Sequence, residues 1–327
     1  MRFFDLHCDT ATRCFDEKLE IQNGPQEISL KKGRGLAAWA QCFAIFVGDN
    51  RRGEAAFQYY CDCVDFLRAE TRKNSKQMAI CRNFGELDAA LGAKKCAGLL
   101  TVENAAVLGG KLENVEKLAD DGVKAVSLTW NGENELGFGS GAGGRLKPFG
   151  RAAMAELARR GMVIDLSHLS DEGFDEVLEW CGGPVMASHS NLRALCGHPR
   201  NLTDRQFKAL AARGGIVGVN LHVSFLAEEP KAANRARALF EHVDRMLEMG
   251  GERAVAFGSD FDGARMPAFC RDVSRIPALY SRCAARYGEA LADRIFFKNA
   301  YDFFERSGRA GFPCPAAGAQ NTEGPCK

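Results

Sequence analysis

Two apolar patterns alternate along the 327-residue chain. Short, near-continuous apolar runs are typical of strands buried on both faces, and between most of them lie amphipathic stretches of helical period. The apolar runs predict eight strands, at 2–9, 37–47, 97–103, 125–130, 162–168, 184–189, 216–222 and 254–260. The amphipathic stretches predict helices at 54–71, 112–120, 151–160, 171–180, 204–213 and 234–249.

Residues that start and stop helices agree with these positions. Ser170 and Thr203 are predicted N-caps, and glycines follow four of the helices, at Gly122, Gly161, Gly214 and Gly250. Eight strands alternating with helices predict an α/β fold, a closed (β/α)₈ TIM barrel of the metal-dependent hydrolase type. An open doubly wound sheet is the alternative, and the positions of the candidate ligands decide against it below.

The chain is predicted to form one catalytic domain over residues 1–307, since α/β barrels routinely run to ~250 residues or more as a single unit. The glycine-rich segment 131–150 predicts a long loop over the barrel mouth that helps to wall the site. Residues 308–327 are rich in Gly, Pro and Ala but have little periodicity, so we expect a C-terminal extension with the composition of a disordered segment.

Charge and cysteine content narrow the functional classes. The 43 basic and 42 acidic residues leave a net charge of +1 without a basic block, which excludes nucleic acid as an expected partner. The chain opens on a predicted strand, and no apolar run approaches ~18 residues, so we expect neither a signal peptide nor a membrane anchor. Thirteen cysteines, an odd number without a Cys-x-x-Cys, indicate reduced buried thiols and a cytoplasmic location.

Five predicted strands end in side chains that bind metals or transfer protons. His7 and Asp9 lie two residues apart, and a strand turns such a pair to the same face. Cys8 between them faces the other way, so we expect it to pack rather than to bind. The other strand-end groups are Glu103, His168, His189 and Asp260. These groups come from strands one, three, five, six and eight, which only a closed barrel gathers at one mouth.

A catalytic zinc ion takes about three protein ligands, so five are too many for one open site. Two Zn²⁺ ions per chain fit better, with His7 and Asp9 on one ion, His168 and His189 on the other, and Glu103 bridging both. Two ions ~3.5 to 4 Å apart also hold a water between them and make it a nucleophile near neutral pH. Two dications against two carboxylates leave +2, which favours a bridging hydroxide.

Each residue also has a plainer interpretation. A single strand-end histidine is more often a hydrogen-bonded structural residue, and Glu103 could cap the helix that follows it. The convergence of five such groups at one mouth favours the metal site. His222, at another strand end, is a weaker candidate for substrate contact and is not expected to bind metal. His242 lies in the middle of a helix and is expected on the surface.

Five segments carry a resemblance to a known family: DLHCDT (5–10), DLSH (165–168), SHS (188–190), HPRN (198–201) and GSDFDG (258–263). In this order they resemble the membrane dipeptidase family, also called renal dipeptidase, within the amidohydrolase-type metal barrels. The resemblance covers residues 1 to about 305. It implies a binuclear zinc dipeptidase that cleaves dipeptides with a free amino terminus and accepts a D-residue on the C-terminal side. It also implies the same five metal ligands and a homodimer.

The resemblance assigns roles that spacing leaves open. It implies that Arg200 holds the substrate carboxylate, which suits the planar fork of a guanidinium. It implies that Asp260 binds substrate and passes a proton to the leaving amine, so we count Asp260 and the bridging Glu103 as catalytic. The neighbouring Asp262 is expected to be a turn residue. Without the resemblance, the 198–201 segment predicts only a turn stabilised by surface contacts.

One position departs from the family pattern. Many members carry a histidine after Leu-Thr at the fourth strand, placed to polarise the scissile carbonyl, whereas this chain has Trp130 followed by Asn131. An indole donates one hydrogen bond but cannot be protonated. Transition-state stabilisation is then expected to depend more on the metal ions, or on Asn131 or a loop donor. Trp130 and Asn131 are both predicted to bind substrate.

Other functions remain open at this level. A related metal barrel acting on a cyclic amide, an acylated amino acid or a lactone would keep the metal ligands but would not need Arg200. Deaminases of this architecture usually begin with His-x-His and hold one metal, so His-x-Asp with Glu103 argues against them. A metal-binding scaffold without activity is disfavoured because Asp260 and every ligand position are present.

Overall fold

A computed structural model describes residues 1–308 and contains a closed barrel of eight parallel strands. Each of the eight predicted strands is present, and the order around the barrel is β1, β2, β4, β5, β6, β7, β8 and β9. Pairing of Asp5 with Phe257 closes the ring. The strands are β1 (Arg2–Cys8), β2 (Ala38–Phe46), β3 (Met78–Ile80), β4 (Cys96–Glu103), β5 (Ala125–Ser127), β6 (Val163–Asp165), β7 (Val185–Ala187), β8 (Ile216–Val219) and β9 (Val255–Phe257). The predicted C-terminal extension lies, beyond Gly308, outside the described residues.

The short strand β3 was not predicted. It pairs with β4 at Cys96–Gly98, whereas β5 pairs with β4 further along, at Thr101 and Val102. Because β2 occupies one edge of β4 along its whole length, β3 and β5 share the other edge. Strand β4 therefore changes partner at Leu99 and Leu100.

All six predicted helices are present, with ends shifted by a few residues. The helices are α1 (Thr10–Glu17), α2 (Gly53–Lys73), α3 (Phe84–Gly92), α4 (Asn114–Asp121), α5 (Pro148–Arg159), α6 (Asp171–Trp180), α7 (Asp204–Ala212), α8 (Val223–Leu226), α9 (Pro230–Ala233), α10 (Ala236–Glu248), α11 (Ile276–Tyr287), α12 (Glu289–Asp293) and α13 (Asn299–Ser307). Short 3₁₀ turns occur at Lys32–Gly35, Ala105–Leu108, Gly251–Arg253 and Val273–Arg275, and a π-helical turn at Arg294–Lys298.

The predicted helix caps are confirmed. The Ser170 hydroxyl accepts a hydrogen bond from the Gly173 N–H at 3.1 Å. Thr203 accepts from the Gln206 N–H at 3.2 Å in a complete capping box. Gly122 ends α4 with φ of 86°, a left-handed conformation that favours glycine.

One buried cluster contains a side chain from each barrel strand: Leu6, Cys42, Leu99, Ala125, Val163, Met186, Ile216 and Ala256. Helix α13 adds Phe303 and Phe304 to this cluster. The Phe304 ring stacks on Phe4, in the first half of β1, with centroids 5.4 Å apart. Helix α13 therefore closes the N-terminal end of the barrel and leaves the C-terminal end as the mouth.

Two predictions about single residues have opposite outcomes. Cys8 packs in the core as expected, with its thiol 3.3 Å from the Cys42 carbonyl oxygen. The surface position predicted for His242 is wrong, because the residue is fully buried. Its Nδ1 accepts from the Leu192 N–H, and its Nε2 contacts the Leu226 carbonyl oxygen at 3.0 Å. Two backbone partners satisfy the buried ring.

Within residues 1–308, none of the helices is both long enough and apolar enough to cross a membrane.

Candidate metal centre

The six predicted metal and proton-transfer groups meet at the C-terminal mouth of the barrel. His7 lies in β1 and Glu103 ends β4, while the others follow their strands directly or within three residues. His168 and Asp260 have φ of 72° and 63°, left-handed values that are uncommon outside glycine. Such local strain is typical of functional sites, since surrounding structure must hold it in place.

Glu103 lies between the two histidine groups. Its Oε2 is 3.2 Å from His7 Nε2, and its Oε1 is 2.8 Å from His168 Nε2. On one side His7 Nε2 is also 3.3 Å from Asp9 Oδ2. On the other side the Nε2 atoms of His168 and His189 are 2.9 Å apart. The His7 and His189 rings also stack, with centroids 3.8 Å apart, so His7, Glu103 and His189 form one cluster of possible metal ligands. The structure thus brings the predicted ligands together, and their division between two ions stays a prediction.

The alternative role for Glu103, capping the next helix, is not what the structure shows. The side chain that caps the 3₁₀ turn at Ala105–Leu108 is that of Asn104, whose oxygen accepts from the Ala106 N–H at 3.1 Å. The Glu103 carboxylate is free to face the histidines.

Outer partners orient two of the rings. His189 Nδ1 lies 2.7 Å from the Ser188 hydroxyl, which donates its own proton to the Asp165 carboxylate. The hydroxyl therefore accepts from Nδ1, which carries the ring proton and leaves the Nε2 lone pair for a metal. His168 Nδ1 lies 2.9 Å from Asn131 Oδ1, with the same consequence. Asn131, predicted as a substrate contact, uses its side-chain oxygen to hold His168.

The charges of the site fit cations. Burial, with Asp9 adding to it, raises the pKa of Glu103 to about 8. Burial also lowers the pKa values of His168 and His189 well below the usual range, so both rings are neutral ligands. For His7, burial lowers the pKa, but Asp9 and Glu103 outweigh it and raise the pKa well above its ordinary value.

An orphaned oxygen supports the same conclusion. Asp9 Oδ1 is buried and has no hydrogen-bond partner within residues 1–308. A buried carboxylate oxygen without a partner is costly unless a cation neutralises it. The combination of imidazole nitrogen and carboxylate oxygen donors is the one that zinc binds. The residues present therefore fit a metal.

Asp260 is held through one of its two oxygens. Its Oδ2 accepts a hydrogen bond from Asn220 Nδ2 at 2.9 Å, and its Oδ1 lies 3.9 Å from His7 Nε2. Burial raises the pKa of Asp260, with His7 opposing and Asp9 adding to the rise. Sequence reasoning missed Asn220, although it follows β8 at the same barrel end.

The mouth opens into a cavity of about 680 Å³. Asp9, Glu103, His168 and Asp260 line one part of it. Trp130 lies on the wall and packs edge-on against Phe46, with ring centroids 5.1 Å apart. A cavity of this size accommodates a small molecule in contact with the candidate metal ligands.

Comparison with known proteins then identifies the family. Residues 1–306 match the family model for membrane dipeptidase, peptidase family M19. The chain belongs to the membrane dipeptidase family. It is accordingly a metal-dependent dipeptidase.

Relatives agree with this assignment. The chain superposes on a metallopeptidase of Rhodobacter sphaeroides, solved with a phosphinate mimic of L-Ala-D-Ala, with TM-score 0.88 and 27% identity; the match covers 94% of this chain and 99% of that one. An uncharacterized protein of Klebsiella pneumoniae is 30% identical over 68% of this chain and 86% of its own length. An uncharacterized dipeptidase of Schizosaccharomyces pombe is 27% identical over 72% and 59% of the two chains.

Arg200 of the dipeptidase lies beside the metal centre rather than on the surface. It is 5% exposed, and its Nη2 donates to the His189 carbonyl oxygen at 3.3 Å. Its Nε is buried without a hydrogen-bond partner in the described chain. The guanidinium also lies 5.6 Å from the centroid of the Phe225 ring, which lines the mouth cavity. The surface turn of the plainer interpretation is therefore wrong for Arg200, which is buried and keeps one N–H donor without a partner among the described residues.

His222, the weaker candidate for substrate contact, lines the mouth cavity of the dipeptidase. Its Nδ1 accepts a hydrogen bond from the Ser224 N–H at 3.2 Å. Burial, and secondarily Arg265, lowers the pKa of His222 to about 4, so the ring is neutral. The ring thus lines the cavity, and it is not part of the clusters of possible metal ligands found within residues 1–308.

Asp262 occupies a turn, as predicted, with φ of 71°. Its buried carboxylate also accepts hydrogen bonds from the Thr10 hydroxyl at 2.5 Å, from Arg13 Nη1 at 2.9 Å and from the Glu27 N–H at 2.6 Å. The residue joins α1 and the 20–30 segment to the mouth of the dipeptidase.

Gly263 is a further site residue, and its role gives the first prediction. A Cβ at this position would lie 1.9 Å from Asp9 Oδ2 and 3.0 Å from Asp260 Oδ1. Gly263→Ala is therefore expected to displace the Asp9 carboxylate and to lower zinc affinity by roughly 10- to 100-fold, the usual cost of disturbing the surroundings of a ligand. Metal-binding titration of the purified protein measures this.

Gly92→Ala is the matched control, because a Cβ there meets no atom within 4 Å. It should keep the zinc affinity of the parent. Parent-like zinc affinity in the Gly263 variant would show that Asp9 does not need the space that the glycine leaves.

Proposed function

We propose that this dipeptidase uses two zinc ions per chain to hydrolyse dipeptides with a free C-terminal carboxylate, including those with a D-residue at the C-terminal side. The metal stoichiometry is supported by the two sides of Glu103, each facing its own histidine group. The D-residue is supported by the Rhodobacter sphaeroides relative, whose bound ligand mimics L-Ala-D-Ala.

His7 and Asp9 would hold one ion, and His168 and His189 would hold the other. Glu103 would bind both. When bound, such a pair supplies Lewis-acid activation of the scissile carbonyl and of a water nucleophile. The protein's own contribution is to keep the ligand rings in the correct tautomer. Asn131 does so for His168, and Ser188 with Asp165 does so for His189.

Asp260 would move the proton from the attacking water to the leaving amine. Asn220 holds one carboxylate oxygen, and the other lies on the side of the metal ligands. A raised pKa suits this task, since the carboxyl must both accept and give up a proton near neutral pH. Trp130 would contribute shape and at most one N–H donor to the substrate pocket.

The observation that carries the dipeptide assignment is the buried Arg200 with an unpartnered Nε. The side chain is buried, and burial lowers the pKa of its guanidinium, with Asp260 and Glu103 opposing. A desolvated cation with free donors favours an anionic ligand, and the C-terminal carboxylate is the anionic group common to all dipeptides.

The test blocks that carboxylate as an amide. In the parent, blocking is expected to lower kcat/KM by ~30-fold or more, since an unpaired buried charge costs ~2 to 5 kcal/mol. Arg200→Ala should be impaired on the free dipeptide and should hardly distinguish free from blocked substrate. Steady-state kinetics of both enzymes on both substrates measure the coupling.

Arg205→Ala is the control, because Arg205 is an exposed residue of α7 paired with Asp175. It should retain the parent's discrimination. Equal hydrolysis of free and blocked substrate by the parent would remove Arg200 from carboxylate recognition and favour a broader amidohydrolase.

A cytoplasmic location stays a proposal. It is supported by the cysteines, since the eleven within residues 1–308 form no disulfide with one another and ten of them are buried. Buried free thiols are typical of proteins from reducing compartments. The homodimer implied by the resemblance also stays a prediction.

A further inference from the structure

A second cavity, of about 430 Å³, lies at the opposite end of the barrel from the metal centre. It is lined by Lys124, just before β5, by Val163 at the start of β6, and by Ser307 at the end of α13. Leu99 also lines it, at the point where β4 changes partner from β3 to β5. The cavity therefore lies beside the point where β4 changes partner.

The lining of this N-terminal cavity combines positive charge with apolar surface. Four cationic residues line it, and no carboxylate does so in the described part of the chain: Arg82, Lys124, Arg159 and Arg160. The apolar part of the wall is formed by Phe84, Leu87, Leu99, Val163 and Phe304. The cationic lining of this cavity differs from the carboxylate-lined mouth, and it suits an anionic ligand.

Three of the four cations already have partners. Arg159 and Arg160 form ion pairs with Glu156, at 2.6 and 3.0 Å, and Arg82 donates to the Asp120 carbonyl oxygen. The Lys124 ammonium makes no hydrogen bond or ion pair with any of residues 1–308, and the residue is partly buried. An ammonium that lines a cavity and has no ion-pair partner is available to bind an anion.

A second unpartnered group points to the same ligand. The Ser307 hydroxyl is buried, with the residue 5% exposed, and lacks a hydrogen-bond partner among the described residues. It can donate one hydrogen bond to an anionic oxygen. Burial and the neighbouring charge of Arg82 lower the pKa of Lys124, and Glu86 opposes this shift.

We propose that the N-terminal cavity binds a small organic anion with an apolar body, such as a medium-chain carboxylate. The anionic head would lie against Lys124 and Ser307, and the apolar body against Phe84, Leu99 and Phe304. The cavity volume falls in the range of small-molecule sites. Since the metal centre lies at the other end of the strands, this ligand would not compete with a dipeptide.

The experiment is calorimetric titration of the full-length, zinc-loaded protein with octanoate. Inorganic phosphate supplies a charge without an apolar body, and 1-octanol an apolar body without a charge. Octanoate is expected to bind with one site per chain, and the other two compounds at least tenfold more weakly. Lys124→Gln should weaken octanoate binding by about tenfold or more, the value of one charge-assisted hydrogen bond.

Two further variants make the result specific. Lys208→Gln removes the same charge from an exposed position of α7 and should bind octanoate like the parent. Phe84→Ala should weaken octanoate but leave phosphate binding unchanged, which keeps the test valid if the Lys124 variant fails to fold. Octanoate that does not bind, that binds Lys124→Gln like the parent, or that inhibits dipeptide hydrolysis competitively would overturn the proposal.

Discussion

Asp260→Asn is expected to lower kcat and kcat/KM together by about 10²-fold or more, while KM and metal content stay close to the parent's. Asparagine keeps the shape of the side chain and tolerates the φ of 63° at this position better than most residues do. Its carbonyl oxygen can still accept the hydrogen bond from Asn220. The change therefore removes proton transfer and little else.

Steady-state kinetics and metal analysis of the same preparation separate a loss of proton transfer from a loss of metal. Asp62→Asn, an exposed position on α2, is the matched control for loss of one carboxylate and should behave like the parent. If Asp260→Asn turned over dipeptides at a near-normal rate, Asp260 would have no part in proton transfer. If the variant lost its metal, Asp260 would have to be counted as a ligand.

Glu103→Gln is expected to weaken both metal sites at once, by more than the roughly 10- to 100-fold that loss of an outer partner typically costs. The reason is geometric, because the two carboxylate oxygens face His7 and His168 separately. An amide presents one N–H₂ group to one of these positions and cannot bridge two cations. Zinc titration and metal analysis should show two ions per parent chain and loss of both in the variant.

The stability of the metal-free protein adds an independent readout. Because burial raises the pKa of Glu103 to about 8, its stabilising contribution is present below the usual carboxyl pKa of 4.5 and is lost as the pH rises through about 8. Above that pH the neutral glutamine should make the metal-free variant at least as stable as the parent. Thermal unfolding with and without zinc measures both this and the loss of stabilisation by metal.

His189→Ala provides the comparison for the bridged arrangement, since it removes a ligand from one half alone. It should weaken one ion more than the other, whereas Glu54→Gln, an exposed glutamate on α2, should weaken neither. A fully active parent that holds a single ion would contradict the bridged model. If His189→Ala lost zinc equally from both sites, the proposed assignment of His189 to one of the two ions would be wrong.

The barrel could be predicted because its strands are buried on both faces and therefore apolar along their length. The eight predicted strands are present, and their polar ends lie at one mouth. Strand β3 could not be predicted in the same way, because three residues are too short to show a period. Its pairing with half of β4 depends on the space that β5 leaves, which is a property of the assembled sheet.

The outer partners of the site were missed for a related reason. Asn220, Ser188 and Gly263 are common residue types, and they act through contacts with side chains from other strands. His242 was placed on the surface because histidine in an amphipathic helix is often exposed. Its burial depends on two backbone groups from distant loops, which the helical period does not reveal.

The sequence by itself determined the parallel barrel and indicated which metal-binding residue types meet at its mouth, because burial and side-chain chemistry are encoded in residue type and strand position. The tertiary structure alone decided how Glu103 divides its two oxygens, which nitrogen of His168 and His189 faces a side-chain oxygen, and that Arg200 is buried with a donor unpartnered among the described residues. These properties depend on distances of a few ångströms between residues far apart in the chain, and only packing sets such distances.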